Sequence, residues 1–222
     1  MGVLEDAVRS ITTFLAPKAD ALVLAERAHH QRGDAALRTM RELGRCLAIE
    51  EGVDIRELED PLRRLLNHEC AEVGRYALDL IRRNLATENN VRGLKLGDFT
   101  EALCAGARRQ PGDCAHYFVL SLGTICDARA IDALADIMRK KDILPEDFLS
   151  AYLMIERIYD LAQRREDLPV IQCCMATMKA WDPIIVPWAE QSIDQMEGAG
   201  FGPYVPMALK LIEDARQRMR SR

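Results

Sequence analysis

Helix-length segments in which apolar residues return every three or four positions follow one another along nearly the whole chain, separated by short polar turns. The first carries Leu4, Val8, Ile11 and Leu15 and stops at Pro17, and the next runs from Asp20 to Gln31 and ends at Gly33, as helix C-termini commonly do. The same spacing predicts helices over 35–51, 54–67, 70–86, 98–109, 113–126, 128–141, 146–164, 167–179, 183–197 and 204–220. Their starts carry local physics. Asp54 and Asp98 stand three residues before Glu57 and Glu101, the spacing at which two orphan amides are satisfied reciprocally. Asp113, Asp127 and Asp167 suit plain N-caps, and Pro145, Pro183 and either Pro203 or Pro206 suit first helical positions, where a missing N–H costs nothing. Pro61 would interrupt the helix at 54–67, so a kink there, or a short turn before a helix starting at Pro61, is expected.

Taken in pairs, these helices give units whose first members begin near 35, 70, 113, 146 and 183, a period of about 33 to 43 residues that marks a helical solenoid. Composition agrees. Apolar residues make up 49% of the chain and aromatics only 5%, which suits aliphatic helix packing better than a sheet. A single helix pair cannot bury its own apolar stripe, and Gly44, Gly74, Ala77, Gly123, Ala135, Ala151 and Ala176 are small enough to let neighbouring helices approach. The expected organisation is one repeat domain over 1–222, with an N-terminal cap at 1–31, repeats over 35–197 and a capping helix at 204–222. Glu213, Asp214, Arg216, Arg218, Arg220 and Arg222 would form the charged outer face of that last helix.

The segment from Leu120 to Met138 has an A helix ending in Leu122 and Gly123, Asp127 at the turn, and Ala130, Ile131 and Leu134 on a B helix. In these residues the chain resembles the HEAT-repeat family. Weaker echoes are Leu43 and Gly44 followed by Leu58 and Leu62, and Ile158 with Leu161 followed by Asp167, Val170 and Ile171. The resemblance implies an all-α, right-handed α-solenoid of about five to six antiparallel helix pairs, armadillo-like, whose B helices line a concave surface that binds another macromolecule.

The formal net charge of −5 and a pI near 5.5 disfavour nucleic acid and point to another protein as partner. The seven cysteines, Cys46, Cys70, Cys104, Cys114, Cys126, Cys173 and Cys174, are odd in number and sit mostly in apolar helical runs, so they read as reduced core residues. With no visible export signal and no apolar run of about 18 residues, a cytoplasmic protein without membrane attachment is expected. The expected role is a non-catalytic adaptor, scaffold or inhibitor, with no cofactor and no metal. On the best-defined B helix, Arg129, Asp132, Asp136, Arg139 and Lys140 remain polar once Ile131, Leu134, Ala135 and Met138 turn inward, and they are the candidate binding face.

Two enzymatic alternatives rest on particular residues. The segment from Ala180 to Trp188 resembles the HEAT-like alkylpurine DNA glycosylases. That resemblance would give Trp181 and Trp188 the task of gripping a damaged nucleotide and Asp182 that of stabilising charge on the departing sugar, although Asp182 also reads as the N-cap before Pro183. His68-Glu69 is one His-Glu dipeptide of the kind that HEAT-type iron hydroxylases use in several copies; its plain reading is a solvated histidine near a helix end. Cys114-Ala-His116 has too few ligands for a structural zinc. There is no glycine-rich phosphate loop or serine elbow, and Gly198, Gly200 and Gly202 read as a flexible connection. The dibasic pairs Arg63-Arg64, Arg82-Arg83, Arg108-Arg109, Lys140-Lys141 and Arg164-Arg165 fall mostly in last helical turns, where the helix dipole favours cations. The helix from Val170 to Met178 is apolar nearly all round, and burial between repeats or cover by a partner would explain it.

Overall fold

The computed structural model describes residues 20–49, 55–85, 95–109, 112–140, 145–198 and 205–221, and every regular element among them is helical. No helix among them is long and apolar enough to cross a membrane. The chain divides into two compact units, one of residues 1–102 and 110–114, the other of 103–109 and 115–222. The expected helix over Leu4 to Leu15 with its stop at Pro17 lies outside the described residues, as do Asp54, Lys141, Gly200, Gly202, Pro203, Arg222 and the side chains of Asp113 and Cys114.

The first unit holds α1 (Asp20–His30), α2 (Gly33–Ile49), α3 (Glu59–Leu66) and α4 (Ala71–Leu85). Helix α1 packs on α2 and α3 on α4, so the pairs begin one helix earlier than the expected units starting near 35 and 70; in addition α1 packs on α3 and α2 on α4, first helix on first and second on second. Met40, Leu43, Leu65, Leu66, Val73 and Ala77 fill the space between them. At Gly44 an added Cβ would come within 3.2 Å of both Leu80 and Tyr76, so α2 and α4 meet at the closeness that glycine permits. A 3-10 turn, Ile55–Leu58, precedes α3, and Pro61 falls in the first turn of that helix, where its missing N–H has no intrahelical partner to lose.

His68 is buried, 4% exposed, rather than solvated. Its Nδ1 accepts the Cys70 N–H at 3.0 Å, which places the ring proton on Nε2, and Nε2 donates to the Gln31 carbonyl at 3.0 Å. The ring therefore fastens the turn after α1 to the turn before α4, and Thr39 secures the same turn by donating its hydroxyl to Gln31 Oε1 at 2.6 Å. Arg64 adds an ion pair from α3 to Glu26 on α1.

Asp98 does not begin a helix. It accepts the Lys95 N–H at 2.6 Å and closes a 3-10 turn, Leu96–Phe99; α5 (Thr100–Arg109) follows, with the Thr100 hydroxyl donating to the Gly97 carbonyl at 2.6 Å. An aspartate three residues after a free amide satisfies it from inside the turn, a role that spacing to Glu101 alone does not distinguish from a cap.

The second unit takes the later part of α5, α6 (Gly112–Leu122) from residue 115 onward, α7 (Ala128–Met138), α8 (Pro145–Arg165), α9 (Leu168–Gly198) and α10 (Val205–Arg220). Helix α8 packs on α7 and α9, α9 on α10, and α7 also on α9. Asp127 caps α7 by accepting the Arg129 N–H at 2.8 Å, and Asp167 caps α9 by accepting the Val170 N–H at 3.3 Å. The glycines mark close approaches: an added Cβ would lie 2.3 Å from Phe118 at Gly106 and 2.2 Å from the Met154 sulfur at Gly123.

Helix α9 corrects the expected break between 179 and 183. It runs unbroken for 31 residues with Pro183 and Pro187 inside it. Both prolines sit on its exposed side, one turn apart, while Asp182, Ile185, Val186 and Ala189 are buried. Water can therefore reach the backbone carbonyls deprived of a partner, and inward packing holds the helix together across them. The stretch from Val170 to Met178 is buried on one side only, through Val170, Cys174 and Met178; Met175 is 48% exposed and Ala176 is exposed rather than a contact point.

Candidate functional site

The residue that organises the second unit is an aspartate in the middle of an apolar helix. Asp182 is 0% exposed, as is Tyr152 on α8. A buried carboxylate needs partners that restore what water supplied, and three elements provide them. The Tyr152 hydroxyl donates to Asp182 Oδ1. Arg218 of α10 donates from Nε to Asp182 Oδ2 at 3.1 Å and from Nη2 to Oδ1 at 3.1 Å, and Nη2 also donates to the Tyr152 oxygen at 2.5 Å. A longer contact of 3.3 Å joins Arg218 Nη2 to Glu156 Oε1 on α8.

Burial, reinforced by the Asp182 acceptor, holds the Tyr152 phenol protonated far above its ordinary range. Burial opposes the charge on Arg218, but hydrogen bonding to Asp182 with the surrounding negative charge outweighs it, and the guanidinium is bound more firmly to its proton than usual. Glu156 goes the other way for a carboxylate. Burial pushes it up to about 6, against the pull of Arg218 and with Asp214 adding to the rise.

That shift has a measurable sign. Between the ordinary glutamate value and about 6, the folded chain keeps a proton that the unfolded chain has released, so Glu156 favours folding below this window and the advantage is lost as pH rises through it. Glu156→Gln is therefore expected to be more stable than the parent by about 1 to 2 kcal/mol at pH 7, with the difference vanishing near pH 4. Urea unfolding at the two pH values checks this; an equal difference at both would remove the titration of Glu156 as its cause.

From this network Glu156 and Arg218 line a groove of about 630 Å³ between α8, α9 and α10, while Tyr152 and Asp182 lie buried behind them. Leu153, Met175, Met178 and Leu211 give it an apolar lining, and Glu156, Arg157, Asp160, Lys179, Lys210, Asp214 and Arg218 give it charges of both signs. Along α10 the stretch from Lys210 to Arg218 measures about 12 Å, somewhat over two helical turns.

The face expected to bind lies elsewhere and is largely paired within the chain. Arg129, Asp132, Arg139 and Lys140 are exposed and Asp136 is half-buried. Arg129 folds back onto Asp127 at 2.6 Å, Asp136 is held between Arg108 at 2.8 Å and Arg139 at 2.7 Å, and Lys140 donates to the Arg108 carbonyl at 3.1 Å. These contacts tie α7 to its own cap and to α5. Several dibasic residues serve the same end: Arg63 bonds Glu59 and the Asp98 carbonyl, and Arg83 bonds Asp79 at 2.7 Å.

Trp181 and Trp188 do not flank an open cleft. Both pack on Phe148, with ring centroids 5.5 Å and 6.2 Å away, and Asp182 between them in sequence turns into the α8 and α10 contact instead. The N-cap reading of Asp182 fails with the helix break it depended on. Among the described residues no three His, Cys, Asp or Glu side chains converge as metal ligands, and both ring nitrogens of His68 are engaged by backbone groups. His29 lies beside His68, at 6.4 Å between centroids, and burial, then the Arg64 charge, lowers its proton affinity. The cysteines with described side chains are free thiols; Cys104 and Cys174 are buried, and burial pushes Cys174 up to about 12.

Sequence reasoning placed Arg218 on an outer capping face and passed over Tyr152 and Glu156. The available signal was an acidic residue inside a run that is otherwise apolar from Val170 to Val186 except for Lys179 and a few neutral polar residues. No family model, no curated protein and no solved structure matches the chain.

Proposed function

We propose that the chain is a non-catalytic binding module that grips another protein through the groove between α8, α9 and α10, on helix pairs stacked as HEAT-like, right-handed solenoid repeats. The observation that carries the binding reading is the groove itself: an apolar lining edged by charges of both signs, with an exposed methionine, Met175, at its side. The packing of first helix on first and second on second in the first unit supports the repeat reading. The groove replaces the α7 face as the preferred contact surface because Arg129, Asp136, Arg139 and Lys140 are already engaged within the chain.

The mixed charges favour selective, salt-sensitive pairing. Their arrangement on three rigid helices suits a helical or extended segment of a partner better than a flat surface.

A photo-crosslinking side chain placed at Met175, and separately at Asp132 on α7, tests the assignment in extracts of the cells that make the protein. A discrete crosslinked species from position 175 and none from position 132 is the expected result. Crosslinks from 132 alone would return the contact surface to α7.

A further inference from the structure

Charge in the groove is unevenly matched. The single guanidinium of Arg218 faces two carboxylates, and Asp182 takes most of it, with contacts of 3.1 Å from both Nε and Nη2. Glu156 receives one contact of 3.3 Å, with its side chain 25% exposed beside the groove. Asp182 and Asp214 both act on Glu156 with like charge. Arg157, Lys179 and Lys210 also line the groove; Arg157 on α8 and Lys210 on α10 form no ion pair with Glu156 among the described residues, and Arg218 is the cation that reaches it. Glu156 is thus a partly desolvated carboxylate with a fraction of one cation. The neighbouring apolar surface is offered by Met175, 48% exposed, and the half-buried Leu153, with Met178 and Leu211 buried beneath them.

We infer that the segment received by this groove is an amphipathic helix of another protein that presents a lysine or arginine to Glu156. This rests on the reading of the groove as the binding surface and adds the chemistry of its occupant. The partner's apolar side chains meet the leucines and methionines, whose unbranched members adapt to different shapes. Its ammonium or guanidinium supplies Glu156 with the charge-assisted hydrogen bond that Arg218, committed to Asp182, provides only weakly. A glutamate or aspartate beside Glu156 would add a like charge to the one that Asp214 already exerts there.

Three synthetic amphipathic helices sharing one leucine face, with their polar positions all lysine, all glutamine or all glutamate, test the inference by fluorescence anisotropy against the full chain. The lysine peptide is expected to bind at least tenfold more tightly than the glutamate peptide, with the glutamine peptide between them. Glu156→Gln should weaken the lysine peptide about tenfold and leave the glutamine peptide unchanged. Asp132→Asn removes a like charge from the exposed face of α7 and should shift the lysine peptide by less than twofold, which separates a site from general attraction to an acidic chain. Circular dichroism confirms that both variants keep their helix content.

Equal binding of lysine and glutamate peptides, or equal weakening by Glu156→Gln and Asp132→Asn, overturns the inference. So does failure of all three peptides to bind. In that last case a crosslink at Met175 still speaks for the groove and against a cationic helix as its occupant, whereas no crosslink at Met175 removes both.

Discussion

Arg218→Met is expected to destabilise the second unit by about 3 to 5 kcal/mol, because it strips a fully buried carboxylate of the one cation that pairs with it among the described residues. The methionine fills a similar volume, so packing is nearly preserved and the loss reports on charge. Asp182 would keep the Tyr152 hydroxyl as a donor, which is too little to replace a guanidinium bonding both of its oxygens. The control is the double variant Asp182→Leu with Arg218→Met, in which neither charge remains. Such apolar replacements of buried pairs are often neutral or stabilising, so the double variant should recover most of the loss. Urea unfolding of the single and double variants reads this. A single variant within 1 kcal/mol of the parent would mean that the pair does not hold α10 in place.

Gly106→Val is expected to cost about 2 to 3 kcal/mol, the range for forcing atoms into a filled core. An added Cβ lies 2.3 Å and 2.6 Å from two ring carbons of Phe118, and that ring is itself fully buried. A rigid ring cannot slide aside without moving α5 from α6. The contrast is Gly123→Ala, whose nearest atom is the Met154 sulfur at 2.2 Å, the end of a flexible side chain that can choose another rotamer; the Met154 Cβ at 2.9 Å, which no rotamer moves, leaves a smaller backbone shift to be made. Gly123→Ala should therefore cost about 1 kcal/mol, less than Gly106→Val. Thermal or urea unfolding of both variants checks the pair, and equal losses would show that side-chain flexibility is not what separates them.

Features governed by near neighbours in the chain were legible before any coordinates. Asp127 and Asp167 cap their helices because a carboxylate needs only to reach an amide two or three residues on. The short turn before the helix containing Pro61 follows from the missing N–H alone. Pro183 was misread by the same local rule. Whether a proline ends a helix or is carried through depends on which side faces water and on what grips the other side, and Asp182, Ile185 and Val186 do the gripping.

The candidate site was less legible still. Tyr152, Asp182 and Arg218 are separated by 30 and 36 residues, and no periodicity relates a tyrosine on α8 to an arginine near the end of the chain. The pairing of the α7 charges was half legible for the complementary reason. Arg139 stands three residues from Asp136 and within its reach, whereas Arg108, which also holds Asp136, comes from α5.

The central claim is that the groove between α8, α9 and α10 is the binding surface, and the methionine methyl groups test it most directly. Met175 is exposed at the groove and Met178 lies at its floor, whereas Met40 is buried in the first unit and Met138 at the end of α7. With methyl-labelled methionine, adding the partner captured at position 175 should shift or broaden the Met175 and Met178 resonances and leave Met40 and Met138 where they were. Unmoved Met175 and Met178 signals, with changes at Met138 or Met40 instead, would contradict the claim.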